Sequence, residues 1–542
     1  MQQSVQHSPY IRVASVSELN RKGRLLIKAA GRQIAIFQIP GAEDHIYACN
    51  NRCPHEGYPL IEGSINGACE LTCNWHNWKF DLASGQTLIG GDRLRRYPVC
   101  VAGDDLLLDL SDPPLAERSR QILDNLTEAM PEHEYDRMAR EIARLIKIGG
   151  DPLDAVRRAI QYSHDRFEFG YGHAYAASAD WLGIHLEYRA QQGRAWDCTS
   201  ELALVPVLES IGHMAWDTLR QRRFPFSSGL RTWDPRDFAA AIEAQDEAGA
   251  VACLRGALAQ GMEMRQLQRD FIAAALAHYQ GFGHALIYTY KASQLVDALG
   301  PAVMEPVALS LIRYLCNSTR EDLIPEFRPY TTALAGWKPA GTRLPAVQSL
   351  AGLSISKALE AVGAAAGAPP QALFTVLFHS ACLQMLNFDY ALDQRCHQAV
   401  SKNANWLDFT HALTFANALR WATGHCPEKW PAGLLQMACF IGRNSSFQNP
   451  VTSADPLPSE DLETWIDQAL QAHLDHQYPE YIVSCHYLKL LVAVREELRH
   501  HRAAPWRGTL AAALHRMLAL PIKRKHVLRV AYQAVNFISK ED

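Results

Sequence analysis

Long apolar runs are missing from these 542 residues. The most apolar stretch, Ala372–Leu386, contains His379 and falls short of the roughly 20 residues that a bilayer-spanning helix needs. A strong excess of one charge is missing too. The formal net charge is −4, which gives no reason to expect a nucleic-acid or membrane partner. No Gly-rich dinucleotide fingerprint follows an apolar run, so the chain is not expected to bind NAD(P)H itself. The cysteines form no dense framework: Cys198, Cys253, Cys316, Cys382, Cys396, Cys426, Cys439 and Cys485 are scattered, which reads as reduced thiols. Met1–Pro9 shows no basic stretch leading into an apolar one, so no secretion signal is expected. These absences predict a cytoplasmic protein.

What is present divides in two. The length exceeds what one hydrophobic core serves, and 48% hydrophobic with 20% charged residues is ordinary globular composition. Up to Leu110, short apolar or β-branched runs (Arg24–Lys28, Gln33–Ile39, His45–Cys49, Asp105–Leu110) are cut by Gly, Asp and Pro. That pattern predicts a small antiparallel β-sandwich. Ser111-Asp-Pro-Pro-Leu115 then breaks regular structure. Beyond it, apolar residues recur at three- and four-residue steps, as in Ile142–Ile146 and Met264, Leu267, Phe271, which predicts helix after helix. The expected fold is therefore α+β and multidomain: a β domain over residues 1–110, a linker over 111–120 and a large all-α domain over 121–542. Candidate loops within the last lie at Gly149–Pro152, Arg223–Gly229, Pro339–Thr342, Gly367–Pro370 and Asn449–Pro458.

Within the β segment stand two paired motifs, Cys53-Pro-His55 and Cys73-Asn-Trp-His76, with seventeen residues (Glu56 to Thr72) between them. Two thiolates and two imidazoles can hold a [2Fe-2S] cluster, cysteines on one iron and histidines on the other. They can also hold zinc. Zinc patterns usually group the two cysteines and then the two histidines, so a Cys directly ahead of each His argues against zinc. Cys49, Cys69 and Cys100 hold no ligand spacing and read as packing residues.

The stretch from about Tyr10 to about Leu110 resembles the Rieske ferredoxin-type domain, through Cys-x-His, Cys-x-x-His, the trailing Trp78-Lys-Phe80-Asp81 and Gly85. The resemblance implies Cys53, His55, Cys73 and His76 as cluster ligands, with electrons leaving through the histidines. Asn77 stands where the family usually has Gly, and Asn tolerates left-handed backbone angles. The respiratory-complex branch adds a disulfide across its cluster loops; Tyr58 and Trp75 occupy the corresponding positions here. This implies the branch that feeds oxygenases, reduced by an external NAD(P)H-dependent reductase or ferredoxin.

The helical segment carries eighteen of the 22 histidines. The Asp-x-x-His-x(3–4)-His iron motif of Rieske oxygenase subunits is absent from it. Carboxylate and imidazole one turn apart, a pairing that suits iron ligation in helical bundles, occur at Glu209/His213/Asp217, Asp393/His397 and Asp408/His411, with a capping or surface pair the favoured reading of each. Gly170-Tyr-Gly-His173-Ala and Gly281-Phe-Gly-His284-Ala echo each other. With His379, His411 and His486, the histidines His173 and His284 are candidate ligands of a second metal, with non-haem iron the expected ion. Tyr288, Tyr290 and Trp181 are candidate pocket-lining residues, and no catalytic residue is assigned. Through Gly283-His-Ala-Leu-Ile-Tyr288 the segment also resembles the questin-oxidase-like proteins, which are all-α and associated with oxidative ring opening.

Two function classes follow. In the first, the cluster passes electrons to a metal in the helical domain that activates O2 on a small organic substrate. In the second, the chain is an electron carrier or redox sensor whose helical part is a docking scaffold. A haem-binding oxidase is a third and weaker reading.

Overall fold

The structure, a computed structural model, describes residues 9–191, 201–450 and 461–541. Cys198, most of Met1–Pro9 and the Val451–Pro458 part of one candidate loop lie outside the described residues. The chain forms two compact units, Met1–Ala129 with Glu134–Gly150, and Met130–His133 with Asp151–Asp542.

The first unit is built on eleven strands: β1 (Tyr10–Ser15), β2 (Arg24–Ala29), β3 (Arg32–Ile39), β4 (Ala42–Asn50), β5 (Ser64–Ile65), β6 (Glu70–Thr72), β7 (Lys79–Asp81), β8 (Thr87–Ile89), β9 (Arg96–Tyr97), β10 (Val99–Ala102) and β11 (Asp105–Asp109). They pair antiparallel in three sheets of order β1-β11-β10, β2-β3-β4-β9 and β5-β6-β7-β8. Strand β3 explains why its sequence is apolar almost throughout. Side chains alternate across a strand. Ile34 and Ile36 enter a core with Leu19, Leu25, Leu106 and Leu108. Ala35, Phe37 and Ile39 enter a second core with Leu60, Leu71, Phe80 and Leu82. Helix α1 (Val16–Lys22) starts where the Ser15 side chain accepts from the Glu18 N–H, and stops at Gly23, whose φ of 72° is left-handed.

Two further helices, α2 (Leu115–Ala129) and α3 (Tyr135–Lys147), belong to this unit. Met138, Ile142 and Leu145 give α3 its buried stripe at helical spacing.

The second unit is helical, and extended pairing among its described residues is confined to isolated bridges, Gln280 with Arg320 and Phe388 with Gln448. Five of its helices matter here: α4 (His173–Gln191), α5 (His284–Leu299), α6 (Trp406–His425), α7 (Tyr481–His500) and α8 (Val527–Ile538). Helix α4 packs on α5, α5 on α6, α6 on α7 and α7 back on α4, closing a four-membered ring. Helices α5, α6 and α7 are buried nearly all round. That is why their sequences lack a polar face, and why their buried polar groups pair among themselves. No helix among the described residues is long and apolar enough to cross a membrane.

Candidate functional site

Two sites emerge, one in each unit. In the β unit, the loops after β4 and β6 have the same internal hydrogen bonds. The Cys53 N–H donates to the Tyr58 carbonyl (2.9 Å) and the Gly57 N–H to the Cys53 carbonyl (2.8 Å). In the second loop Cys73 N–H donates to Trp78 O (2.8 Å) and Asn77 N–H to Cys73 O (2.9 Å). Each loop turns on a left-handed residue, Gly57 at φ 80° and Asn77 at φ 59°. Asn77 thus adopts the backbone that glycine would supply.

Cys53 and Cys73 are buried in the core beneath the loops, 4% and 1% exposed. Burial, with the neighbouring Cys73 adding to it, pushes the Cys53 thiol up to about 11. A metal's positive charge is what would hold such a sulfur as thiolate. His55 and His76 sit at the rim, their rings 4.8 Å apart. The Nδ1 of His55 is buried with no hydrogen-bond partner. Two sulfurs below, two imidazoles above and an orphaned ring nitrogen between them fit a mixed Cys/His cluster. Glu56 lies 3.9 Å and 3.8 Å from the Nε2 atoms of His55 and His76, but its carboxylate is 55% exposed. The cysteines and the buried nitrogen therefore make the stronger site. Tyr58 and Trp75 meet edge to face, ring centres 5.5 Å apart, bridging the two loops by contact alone.

A buttress that the motifs do not reveal stands behind His55. Its ring stacks on Trp78 (4.4 Å, 10°), and the Arg140 guanidinium lies 6.0 Å above Trp78. Arg140 and Arg144 both bind the fully buried Asp92, and Arg144 also donates to the Pro54 carbonyl (3.2 Å). The spacing Arg140/Arg144 on one helix face was the one available signal.

In the helical unit, His173, His284, His411 and His486 converge, each offering a ligand atom within 4.8 Å of the others. His173 and His284 open α4 and α5, while His411 and His486 are each the sixth residue of α6 and α7. Nε2 of His284 lies 3.2 Å from that of His173 and 3.0 Å from that of His411, which lies 3.3 Å from that of His486. On the far side of three rings, Nδ1 meets a carbonyl oxygen: His284 with Gly281 (2.7 Å), His411 with Leu407 (2.7 Å), His486 with Ile482 (2.5 Å). A carbonyl only accepts, so each of these Nδ1 atoms carries the proton and each Nε2 presents a bare lone pair inward. His173 Nδ1 instead meets the Tyr288 hydroxyl at 3.2 Å.

Burial first, then Lys489, drives His284 down to about 3, and burial drives the other three well below the ordinary imidazole range. Four neutral imidazoles aimed at one point, three outer nitrogens held by the main chain and the fourth by Tyr288, are what a metal site requires. Lys489 is buried beside them, its Nζ 5.9 Å over the Tyr288 ring and without a hydrogen bond, and burial lowers its pKa.

Other histidine pairs have different duties. His379, similar in sequence context, lies outside this group with its Nε2 3.3 Å from Thr509 Oγ1. Asp408 closes a capping box with Asn405 at the start of α6. His213 lies 3.5 Å from Asp217, whereas Glu209 pairs with His476 (3.0 Å) and Asp393 with His526 (3.7 Å). Tyr290 bonds Glu496 (3.0 Å), and Trp181 stacks on His473. Cys49 is fully buried as packing requires, but Cys100 is exposed.

Below the histidines the ring of helices holds a polar layer. Asp180 and Lys291, seven residues after His173 and His284, form a buried ion pair of 2.7 Å. Asn417 of α6 donates to Glu496 (2.8 Å) and Glu497 (2.9 Å) of α7. The equal offsets in α4 and α5 mean that these two helices run in the same direction, with His173 and His284 at their N-terminal ends.

Comparison with known proteins bears on the β unit. The family model for the Rieske [2Fe-2S] domain matches residues 10–93. The 4beta-methylsterol monooxygenase of Methylococcus capsulatus is 36% identical over 98 residues, 16% of this chain and 26% of that protein. The chain thus spans about a quarter of that relative's length. The 3-phenylpropionate/cinnamic acid dioxygenase ferredoxin subunit of Shigella boydii is 35% identical over 81 residues, 15% of this chain and 74% of the subunit. Among solved structures, the ferredoxin of carbazole 1,9a-dioxygenase from Nocardioides aromaticivorans IC177 matches at 25% identity and a TM-score of 0.18, covering 19% of this chain and all of that one. A Rieske domain implies a [2Fe-2S] cluster and an electron-transfer role. By its paired cluster loops, the family-model match over residues 10–93 and the likeness to the dioxygenase ferredoxin subunit, the chain belongs to the Rieske [2Fe-2S] family.

Proposed function

We propose that the chain is a Rieske-dependent oxygenase that carries its own electron inlet, with a second metal, non-haem iron, held by His173, His284, His411 and His486 in the cytoplasm. The observation that carries this reading is the convergence of four Nε2 atoms, three of them bared by Nδ1–carbonyl bonds. Without a cation, these lone pairs would face one another in a site too buried for water to screen. Imidazole suits iron, copper, nickel and zinc alike; a covalently attached one-electron donor favours an ion that changes oxidation state. When bound, the [2Fe-2S] cluster supplies single electrons, and the iron supplies the place where O2 is activated.

The chain's own residues do the rest. Cys53 and Cys73 hold from the core, while His55 and His76, 24% and 37% exposed in their side chains, offer the exit for electrons that an external reductase or ferredoxin has delivered. Tethering raises the effective concentration of donor and acceptor without a new contact. The backbone carbonyls of Gly281, Leu407 and Ile482 fix three imidazoles, and Tyr288 orients the fourth. Two relatives bear the names of a monooxygenase and of a dioxygenase's ferredoxin subunit, which supports the oxygenase class and a small organic substrate.

The test is anaerobic loading with Fe(II) followed by nitric oxide. A high-spin EPR signal from the helical site is expected in the parent protein and lost in His284→Ala/His411→Ala. Absence of that signal with an intact cluster would sink the oxygenase reading in favour of an electron carrier or redox sensor.

A further inference from the structure

Helix α8 is mounted inside out. Its polar positions Arg529, Gln533 and Asn536, spaced as one helical stripe, face the protein. Arg529 donates to the carbonyls of Leu392 (3.1 Å), Asp393 (2.9 Å) and Arg395 (3.0 Å). Gln533 donates to Gln398 O (3.0 Å) and Asn403 Oδ1 (3.2 Å). The apolar residues point outward: Val535 is 72% exposed, Val527 64%, Val530 and Ile538 63%, Leu528 59% and Phe537 51%. Nearby Val400, in the segment that receives Gln533, is 52% exposed. Single exposed aliphatics are ordinary, but one whole helix face of them marks a contact surface.

Charge decides what covers it. Arg524, Lys525 and Lys540 are exposed around the helix, Lys523 is half-buried beside them, and Arg395 and Lys402 are exposed on the segment that anchors it. Asp393, the carboxylate beneath the helix, is fully buried. Glu541 and Asp542 are the acidic residues in the sequence after Ile522. The near-neutral charge of the whole chain conceals this local excess. A second copy seated on this face through a two-fold axis would set the same basic rim against itself. An anionic lipid surface accepts both features, apolar residues entering the acyl boundary and basic residues meeting headgroup phosphates.

We propose that the outer face of α8 docks the protein on an anionic lipid bilayer, as a surface-bound and not a membrane-spanning protein. The test is co-sedimentation of the full chain with phosphatidylcholine vesicles and with vesicles containing about one third phosphatidylglycerol. Binding to the anionic vesicles is expected to be about ten-fold or more above that to the neutral ones, and to weaken as salt rises. Val535→Asp/Phe537→Asp and Arg524→Glu/Lys525→Glu are each expected to abolish it. Both change exposed side chains, and an unchanged melting curve keeps the reading clean. Failure of the parent protein to sediment with either vesicle would overturn the proposal. So would a stable dimer that Val535→Asp/Phe537→Asp converts to monomer, since a second copy would then be the occupant. Neither outcome depends on whether the four-histidine site binds iron.

Discussion

The Nε2 atoms of His284 and His411 lie 3.0 Å apart, and neither bears a proton to place between them. Their Nδ1 protons are committed to Gly281 and Leu407. Such a contact is repulsive until a cation occupies it, so metal binding and stability of this region are coupled. Replacing either histidine with alanine is expected to abolish metal uptake by the helical unit and to remove the metal-dependent rise in melting temperature. A variant that still melts higher with added Fe(II) would contradict this.

Tyr288 holds the one imidazole that lacks a backbone anchor, His173. Tyr288→Phe keeps the ring and removes the hydroxyl. Metal affinity should fall by about 10- to 100-fold, the usual effect of losing a group that orients a ligand. Competition with a chelator of known affinity reads this, and unchanged affinity would remove Tyr288 from the role.

The two sites should be separable. Cys53→Ser is expected to eliminate the visible absorption and EPR of the [2Fe-2S] cluster while Fe(II) binding at the four histidines persists. Loss of both together would mean that the helical unit cannot fold without a loaded cluster.

Asp180 and Lys291 are buried at 1% and 5% side-chain exposure, and each is the other's ion-pair partner. Lys291→Met leaves an unpaired carboxylate and should cost about 3–5 kcal/mol. Asp180→Leu/Lys291→Met removes both charges and should recover most of it, as read by urea denaturation. A double variant as unstable as the single one would show that the pair is not the reason for the cost.

Gly90 makes close passage for Trp78 possible. A Cβ there would stand 2.4 Å from the indole at a φ of 121°, so Gly90→Ala must push Trp78 off His55. The expected cost is about 1–3 kcal/mol in the β unit, with a shift in the cluster's EPR g-values. An unshifted spectrum would mean that Trp78 does not fix the His55 ring.

What could be read from the sequence follows from range. The apolar runs Arg24–Lys28, Gln33–Ile39, His45–Cys49 and Asp105–Leu110 became β2, β3, β4 and β11 because strand patterning is local. The paired Cys/His motifs sit two and three residues apart on single loops, so their proximity was local too. His173 and His284 shared a legible turn, but their meeting with His411 and His486 is set by packing of α4–α7. His379 looked equivalent in sequence and instead faces Thr509. Asp92 with Arg140 and Arg144, and Lys489 beside the histidines, are long-range placements of charge, of which only the four-residue spacing of the two arginines shows in the chain. The outward apolar face of α8 was equally hidden, because an amphipathic stretch does not say which side the protein will use.

The most direct measurement is iron content per chain after anaerobic reconstitution, combined with an anomalous-scattering map of the helical unit. One iron beyond the pair in the cluster is the expected result, located among His173, His284, His411 and His486. Iron in the cluster alone, with no anomalous peak among those four rings, would contradict it.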